Sequence, residues 1–232
     1  MSERLSTPPV VHVAPAARPQ RPARPSFRRL DLGGIRDVLG FPHESTEAKV
    51  VPTINETARR FVAHAPFMTL ATCDAHGRAD CSPRGDGPGF VKVLDERTLA
   101  LPDRTGNNLV QSFQNILQNP AVGTLFFVPG LRETLRINGT GYVTDDAQLL
   151  ERFTADGRRA KLALVIDVTE VYLHCGKALI RSGLWDPSWQ TLAQDMSRGI
   201  SVFSLNEIEK GAPHGTSTEI EEWIEEAYVK EL

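Results

Sequence analysis

The sequence predicts a mainly β protein of the α+β class, built on an antiparallel barrel of six or seven strands with peripheral helices. Short segments rich in apolar and β-branched residues alternate with turn sequences over residues 67–173, at the spacing typical of a small barrel. Few helical patterns separate these segments, which favours antiparallel neighbours. With 232 residues, 41% of them hydrophobic, the chain has enough material for one core of this size.

Composition also divides the chain into three parts. Residues 1–28 are rich in Pro, Ala and Arg without apolar periodicity, which predicts a disordered basic arm. Residues 29–200 carry the barrel pattern. Residues 201–232 are predicted to form a C-terminal helical extension, in which Thr218 and Glu221 make a capping box before an apolar stripe. Such a stripe usually packs on the parent domain or on a neighbouring subunit.

Charge and hydropathy limit the classes of partner. The formal net charge of -3 gives no general attraction to nucleic acid or to anionic membranes. No apolar run approaches the roughly 18 residues that span a bilayer, and the N-terminus lacks the apolar core of a signal peptide. Three cysteines without framework spacing fit a reducing compartment. We therefore expect a cytoplasmic protein with neither nucleic-acid nor membrane partners.

The barrel pattern begins with a helix. Thr53 and Glu56 form a capping-box pattern, and an apolar stripe follows, which predicts an amphipathic helix over residues 53–65 that ends before Pro66. A further helix is predicted over residues 108–118. The predicted strands are 67–73, 79–83, 90–94, 98–101, 121–128, 133–144 and 162–173.

Residues 81–118 gather features that suit a phosphorylated ligand. The loop cation Arg84 and the strand cation Lys92 flank a segment with glycine at positions 85, 87 and 89, where a ligand could lie against the backbone. Downstream, Asn107 and Asn108 precede the predicted helix as caps. With Arg104 nearby, such a helix start can hold a phosphate by its dipole and by charge-assisted hydrogen bonds. Asparagine before a helix is often only a cap, but the cluster favours a ligand.

Two later features leave alternatives open. Arg136 lies in mid-strand, where it faces either water or a ligand groove. Lys177 and Arg181 are four residues apart and project from one side of a helical turn, with Trp185 close behind. This trio either belongs to a surface turn or suits an anionic aromatic ligand.

A metal site is not supported by the spacing of its potential ligands. Cys73 and His76 span a probable hairpin turn, Cys81 stands singly on the return strand, and the adjacent His174 and Cys175 would struggle to chelate one ion tetrahedrally. No metal is therefore expected, and the cysteines are interpreted as small buried thiols.

Four segments carry a resemblance to a known family: FMTLATCDAHGRADCSPRGDGPGFVKVLDERTLALPDRTGNN, NILQNPAVGTLFFVPG, ETLRINGTG and HCGKALIRSGLWDP. In combination they resemble the pyridoxamine 5'-phosphate oxidase-like superfamily of flavin proteins, and within it the probable FMN-dependent enzymes. The resemblance covers roughly residues 30–189. It implies a split β-barrel homodimer that holds one FMN at each of two clefts between the subunits.

The same resemblance implies roles for individual residues. The late segment approaches flavin and substrate from the partner subunit, which makes Lys177, Arg181 and Trp185 the candidate catalytic residues. The implied cofactor-binding residues are Ser82, Arg84, Gly85, Lys92, Pro102, Asp103, Arg104, Asn107, Asn108, Thr134 and Arg136.

Two departures from the family pattern separate this chain from the oxidases themselves. Leu101-Pro102 stands where a Tyr-Thr pair is expected, and Asn108-Leu109 stands where an Arg-Lys pair is expected. We therefore expect an FMN-dependent oxidoreductase of unknown small-molecule substrate rather than a pyridoxamine phosphate oxidase. The alternative is a non-catalytic protein that stores or senses flavin, haem or F420. In that version His174 could ligate haem, although a single histidine at a strand end is more often structural.

Overall fold

The computed structural model describes residues 26–104, 106, 108–154, 159–189, 191–192, 196, 202, 206, 221–222, 224–226 and 228–229. The predicted basic arm up to residue 25, and Thr218 with its predicted cap, lie outside the described residues. The chain divides between Pro42 and His43 into two units. In the first unit, helix α1 (Leu32–Leu39) begins after Asp31, whose side chain accepts a hydrogen bond from the Gly34 N–H.

The second unit alternates short helices with strands. Its helices are α2 (Glu44–Glu47), α3 (Glu56–His64), α4 (Gln111–Gln118), α5 (Ala147–Glu151) and α6 (Lys177–Ser182), followed by a 3-10 turn at Pro187–Trp189. Its strands are β1 (Phe67–Cys73), β2 (Ala79–Gly85), β3 (Lys92–Val93), β4 (Thr98–Pro102), β5 (Ala121–Phe127), β6 (Thr134–Thr144) and β7 (Ala163–His174).

The seven strands form one antiparallel sheet in the order β2-β1-β5-β6-β7-β4-β3. Met68 on β1 and Leu99 on β4 lie far apart in this order, yet both are fully buried in one apolar cluster. The sheet is therefore curled around a shared core. Within the described residues no ladder joins the edge strands β2 and β3, so the barrel is split there. The predicted mainly β split barrel is confirmed.

Helix α3 covers one side of this core with Phe61 and Val62. The predicted capping box at Thr53 is wrong. Asn55 caps the helix instead, because its side chain accepts a hydrogen bond from the Ala58 N–H at 2.9 Å. The physical reason lies just upstream, where the Ile54 N–H donates to the Glu96 carbonyl at 2.8 Å and holds residue 54 outside the helix.

Helix α4 also begins later than predicted, at Gln111. Val110 precedes it in the left-handed conformation with φ 46°, and no side chain caps the helix. Asn108 is left-handed as well, with φ 56°. Asparagine adopts this conformation readily, but a β-branched valine does so rarely. The prediction that Asn108 caps α4 is therefore wrong, and Asn107 lies outside the described residues.

No helix in the described part of the chain is both long and apolar enough to cross a lipid bilayer.

The β-bulge between Asn138 and Gly139 of β6 generates a stability prediction. A Cβ atom at Gly139 would overlap the backbone carbonyl of Asp167 on β7, and backbone cannot move aside cheaply. We expect Gly139→Ala to lower the free energy of unfolding by about 2–3 kcal/mol in urea titrations. The matched control is Gly87→Ala, since a Cβ there meets no atom within 4 Å. Equal losses in both variants would contradict the steric explanation.

Candidate functional site

A cleft of about 540 Å³ opens between the edge strand β2, the end of β4 and the start of α4. This volume is typical of a small-molecule or cofactor site. Seven of the residues implied by the family resemblance line it: Ser82, Arg84, Gly85, Pro102, Asp103, Arg104 and Asn108.

The alternation of side chains along β2 turns three polar groups into the cleft. Arg84 pairs with Met68, and Ser82 pairs with Leu70, and both partners on β1 are fully buried in the core. Residues directly opposite each other on neighbouring strands share a face of the sheet. Asp80 shares this inner face, so β2 presents a carboxylate, a hydroxyl and a guanidinium in a row at the rim of the core.

Arg84 is held by a hydrogen-bond network that reaches α4. Its Nη2 donates to Ser112 Oγ at 3.2 Å, and its Nη1 donates to the Pro83 carbonyl at 2.7 Å. Ser112 Oγ in turn donates to Asp80 Oδ2 at 3.0 Å and lies 3.1 Å from Ser82 Oγ. The guanidinium is thus fixed at two points on the cleft wall.

Arg104 is the second cation of the cleft, and it is already paired. Its Nε donates to Asp86 Oδ2 at 2.6 Å, and its Nη1 donates to the Phe153 carbonyl at 3.0 Å. These contacts tie the glycine-rich loop after β2 to the segment after α5. Arg104 therefore forms part of the cleft wall and also adds a positive charge to it.

Burial and charge oppose each other within the cleft. Burial lowers the pKa of the Arg84 guanidinium, while the charges of Asp103 and Asp80 act against that shift. Burial likewise raises the pKa of the Asp103 carboxyl, and Arg84 lowers it. Arg84 and Asp103 thus favour each other's charged forms, so a bound anion would compete with Asp103 for the guanidinium.

Lys92 lies outside the lining of this cleft. It pairs with Ala100, whose side chain belongs to a second, smaller core cluster with Phe153 and Val165. Its Nζ donates to the Gly89 carbonyl at 2.8 Å. The lysine therefore ties down the glycine-rich loop within its own chain.

Arg136 lies on the opposite face of the sheet from Arg84. Arg136 pairs with Leu125 on β5, Leu125 pairs with Thr69 on β1, and Thr69 pairs with Pro83 on β2. Pro83 is adjacent to Arg84 in sequence, so its side chain and that of Arg136 lie on the other face of the sheet. On this outer face Arg136 Nη2 donates to Glu170 Oε1 at 2.7 Å, and its guanidinium lies 5.1 Å from the ring centre of Tyr172. We call Arg136, Asn138, Glu170, Tyr172 and His174 the outer-face cluster.

Two features distinguish the outer-face cluster. The Arg136 Nε is buried and has no hydrogen-bond partner, and an unsatisfied buried donor typically costs about 1–3 kcal/mol. The rings of Tyr172 and His174 meet edge to face at 4.6 Å. Burial first, and then the charge of Arg136, lower the pKa of His174, whereas Glu170 acts to raise it. Thr134 pairs with His174 and is buried beside this cluster.

The candidate catalytic residues follow the far end of β7. Lys177 and Arg181 lie on helix α6, as their spacing predicted, and the Trp185 indole N–H donates to the Leu131 carbonyl at 2.7 Å. Pro102 at the cleft pairs with Ala163, at the opposite end of this twelve-residue strand, which spans about 36 Å when extended. Helix α6, all of which the structure describes, contributes no lining residue to the cleft of its own chain.

The sequence interpretation missed Asp80 and Ser112. Asp80 had a usable signal, because it precedes Ser82 and Arg84 at a period of two. Ser112 had none, since its role depends on how α4 packs beside β2.

No group of three potential metal ligands occurs in the described residues, and all three cysteines are free. The expectation of buried thiols is wrong for Cys81 and Cys175, which are exposed. Cys81 lies on the outer side of an edge strand, and Cys175 follows the end of β7. Cys73 is half-buried and accepts a hydrogen bond from Asn119 Nδ2 at 2.9 Å.

Several solved structures are similar to this chain. HupZ of Group A Streptococcus is 20% identical over 52% of this chain and 93% of its own, with a TM-score of 0.43. An F420 reductase is 18% identical over 52% of this chain and 98% of its own, with a TM-score of 0.37. HutZ, the haem storage protein of Vibrio cholerae, is 16% identical over 53% of this chain and 94% of its own, with a TM-score of 0.36. These likenesses are too distant to indicate what this chain binds.

No curated protein matches the chain. The family model described as pyridoxamine 5'-phosphate oxidase matches residues 54–175, which is more than half of the chain and includes every strand from β1 to β7. The chain therefore belongs to the pyridoxamine 5'-phosphate oxidase family.

Proposed function

We propose that the protein is an FMN-dependent oxidoreductase that acts on a small molecule as a homodimer. Family membership supplies the class of protein. The observation that carries the proposal is the convergence of Arg84, Asp103 and Arg104 on one cleft of about 540 Å³. Three free cysteines also fit a cytoplasmic location.

The cleft residues fit the phosphate end of FMN. Arg84 is fixed on the wall, and its remaining N–H groups suit charge-assisted hydrogen bonds to a phosphate. Arg104 adds a second positive charge, and the Asp103 carboxylate offers an acceptor to hydroxyl groups of the ligand chain. Gly85 places bare backbone beside Arg84 in the same wall.

The outer face of the sheet supports the proposal of a second copy. The outward positions on β2, β1 and β5 carry no charged side chain, and Phe67 is 40% exposed there. An antiparallel sheet with one solvated face normally alternates apolar and polar residues. The uncharged part of the outer face on these three strands instead suits burial against another protein surface. These positions are Phe67, Thr69, Ala71, Cys73, Ala79, Cys81, Pro83, Gly85, Ala121, Gly123, Leu125 and Phe127.

If two copies pair through these faces, the cleft of each copy can receive residues of the other copy that lie outside the cleft of their own chain. We propose that Thr134 and Arg136 of one copy, together with its helix α6, serve the cleft of the other. When bound, FMN supplies hydride transfer, while the protein supplies position and electrostatics. Lys177 and Arg181 would stabilise negative charge on the ligands, and Trp185, anchored through its indole N–H, would form an apolar wall.

Identification of the bound chromophore tests the cofactor. Purified protein incubated with FMN is expected to acquire the absorption of a flavin, and the mass of the released chromophore should be that of FMN. Anaerobic addition of NADH, NADPH or a substrate that bleaches the flavin would identify an enzyme rather than a carrier. Release of haem or of F420 as the only native chromophore would contradict the proposal.

The phosphate contacts generate the second prediction. Arg84→Ala or Arg104→Ala should weaken FMN binding by about 1.5–3 kcal/mol, because each removes a charged hydrogen-bond donor from the phosphate. Titration of flavin fluorescence measures this loss, and riboflavin affinity should be unchanged. Arg97→Ala, in the turn between β3 and β4, is the matched control. Unchanged FMN affinity in both cleft variants would remove these arginines from the site.

The composite site generates the third prediction, which uses mixed dimers. Arg84→Ala and Arg136→Ala homodimers should each bind FMN weakly. A heterodimer of the two variants contains one doubly altered site and one intact site, so binding of one FMN per heterodimer should return. Differently tagged chains that are co-expressed and purified through both tags allow the measurement. If both arginines served the cleft of their own chain, every site would keep one substitution and binding would stay weak.

The role of helix α6 generates the fourth prediction. Lys177→Ala should slow reduction of the bound flavin more than it weakens FMN binding, because the lysine acts on charge that develops during the reaction. Anaerobic stopped-flow absorbance measures the rate. A reduction rate equal to that of the wild type would assign Lys177 to the protein surface.

A further inference from the structure

We infer that Asp80 and Ser112 are positioning residues that hold Arg84 toward the ligand of the cleft. The inference rests on the proposed function, since it concerns how the same site grips a phosphate. Neither residue is among those that the family resemblance implied.

Ser112 lies where three polar side chains of β2 converge. The residue is 4% exposed, and its Oγ lies within hydrogen-bond distance of Asp80, Ser82 and Arg84. A buried hydroxyl with three partners is costly to replace by an apolar group. It is also the contact through which α4 meets all three polar residues of the strand.

The single hydroxyl proton of Ser112 fixes the direction of its hydrogen bonds. A serine hydroxyl has one proton, and Ser112 donates it to the Asp80 carboxylate at 3.0 Å. Its oxygen must then accept from the Arg84 Nη2 and from the Ser82 hydroxyl. Of the three side chains at Ser112 Oγ, Asp80 is the one that can only accept, and it therefore sets the direction of the Ser112 hydrogen bonds. Through Ser112 it orients the guanidinium.

Positioning of Arg84 by Asp80 is distinguishable from simple electrostatic repulsion of the ligand. Asp80 carries a negative charge close to the proposed phosphate, so charge alone would make it an obstacle to binding. If Asp80 positions Arg84, removal of its acceptor oxygen should weaken binding even though a repulsive charge disappears. The two roles thus predict changes of opposite sign.

The experiment compares Asp80→Asn, Asp80→Ala and Ser112→Ala by their affinities for FMN and for riboflavin. Asparagine keeps an acceptor for the Ser112 proton and lacks the charge, so FMN affinity should be equal to or higher than that of the wild type. Asp80→Ala and Ser112→Ala should each weaken FMN binding about tenfold, with riboflavin affinity unchanged. Asp95→Ala, in the exposed turn before β4, is the control for loss of a carboxylate.

Other outcomes would overturn the inference. FMN binding by Asp80→Ala that is as tight as in the wild type, or tighter, would show that the carboxylate only repels the ligand. Equal losses for FMN and riboflavin would indicate general damage to the fold, and thermal unfolding of each variant reports this directly. A wild-type protein that binds FMN no better than riboflavin would overturn the proposed function itself, and the inference with it.

Discussion

The alternation of side chains across a curled antiparallel sheet is the constraint on which the site depends. On β2 it turns Arg84 toward the core rim, and on β6 it turns Arg136 away from it. The two cations, whose strands are three places apart in the sheet, are thereby placed on opposite sides of one layer of backbone. Arg136 does not line the cleft of its own chain, which is why its proposed role in cofactor binding calls for a second copy of the chain.

The strands could be predicted from the sequence, whereas the helix starts could not. Strand β1 is bounded by Pro66 and by the Asp74 turn, and both signals are local. The segment before α3 is held by a hydrogen bond from the Ile54 N–H to the Glu96 carbonyl, a contact between residues 42 positions apart in sequence. The left-handed Val110 is a further tertiary effect, because nothing in the local sequence favours that conformation in a valine.

The same distinction applies to the candidate site. Ser82 and Arg84 could be predicted because a period of two on one strand places them on one face. Lys92 could not be excluded from the cleft in this way, since its position depends on the pairing of β3 with β4 and on the Gly89 carbonyl. Ser112 depends on the packing of a helix against a strand whose residues lie about thirty positions earlier. Sequence periodicity carries no information on such a contact.

The charge balance of the cleft shows why position matters more than net charge. Arg84 lies among Asp80 and Asp103, and Arg104 is paired with Asp86, so carboxylates compensate both guanidiniums before any ligand binds. A bound phosphate must therefore compete with these carboxylates for the guanidinium groups. It can do so only where N–H groups are held in place at no further cost in conformational freedom. Arg84 meets that condition because its guanidinium donates hydrogen bonds to Ser112 Oγ and to the Pro83 carbonyl. A mobile surface arginine of the same charge would not meet it.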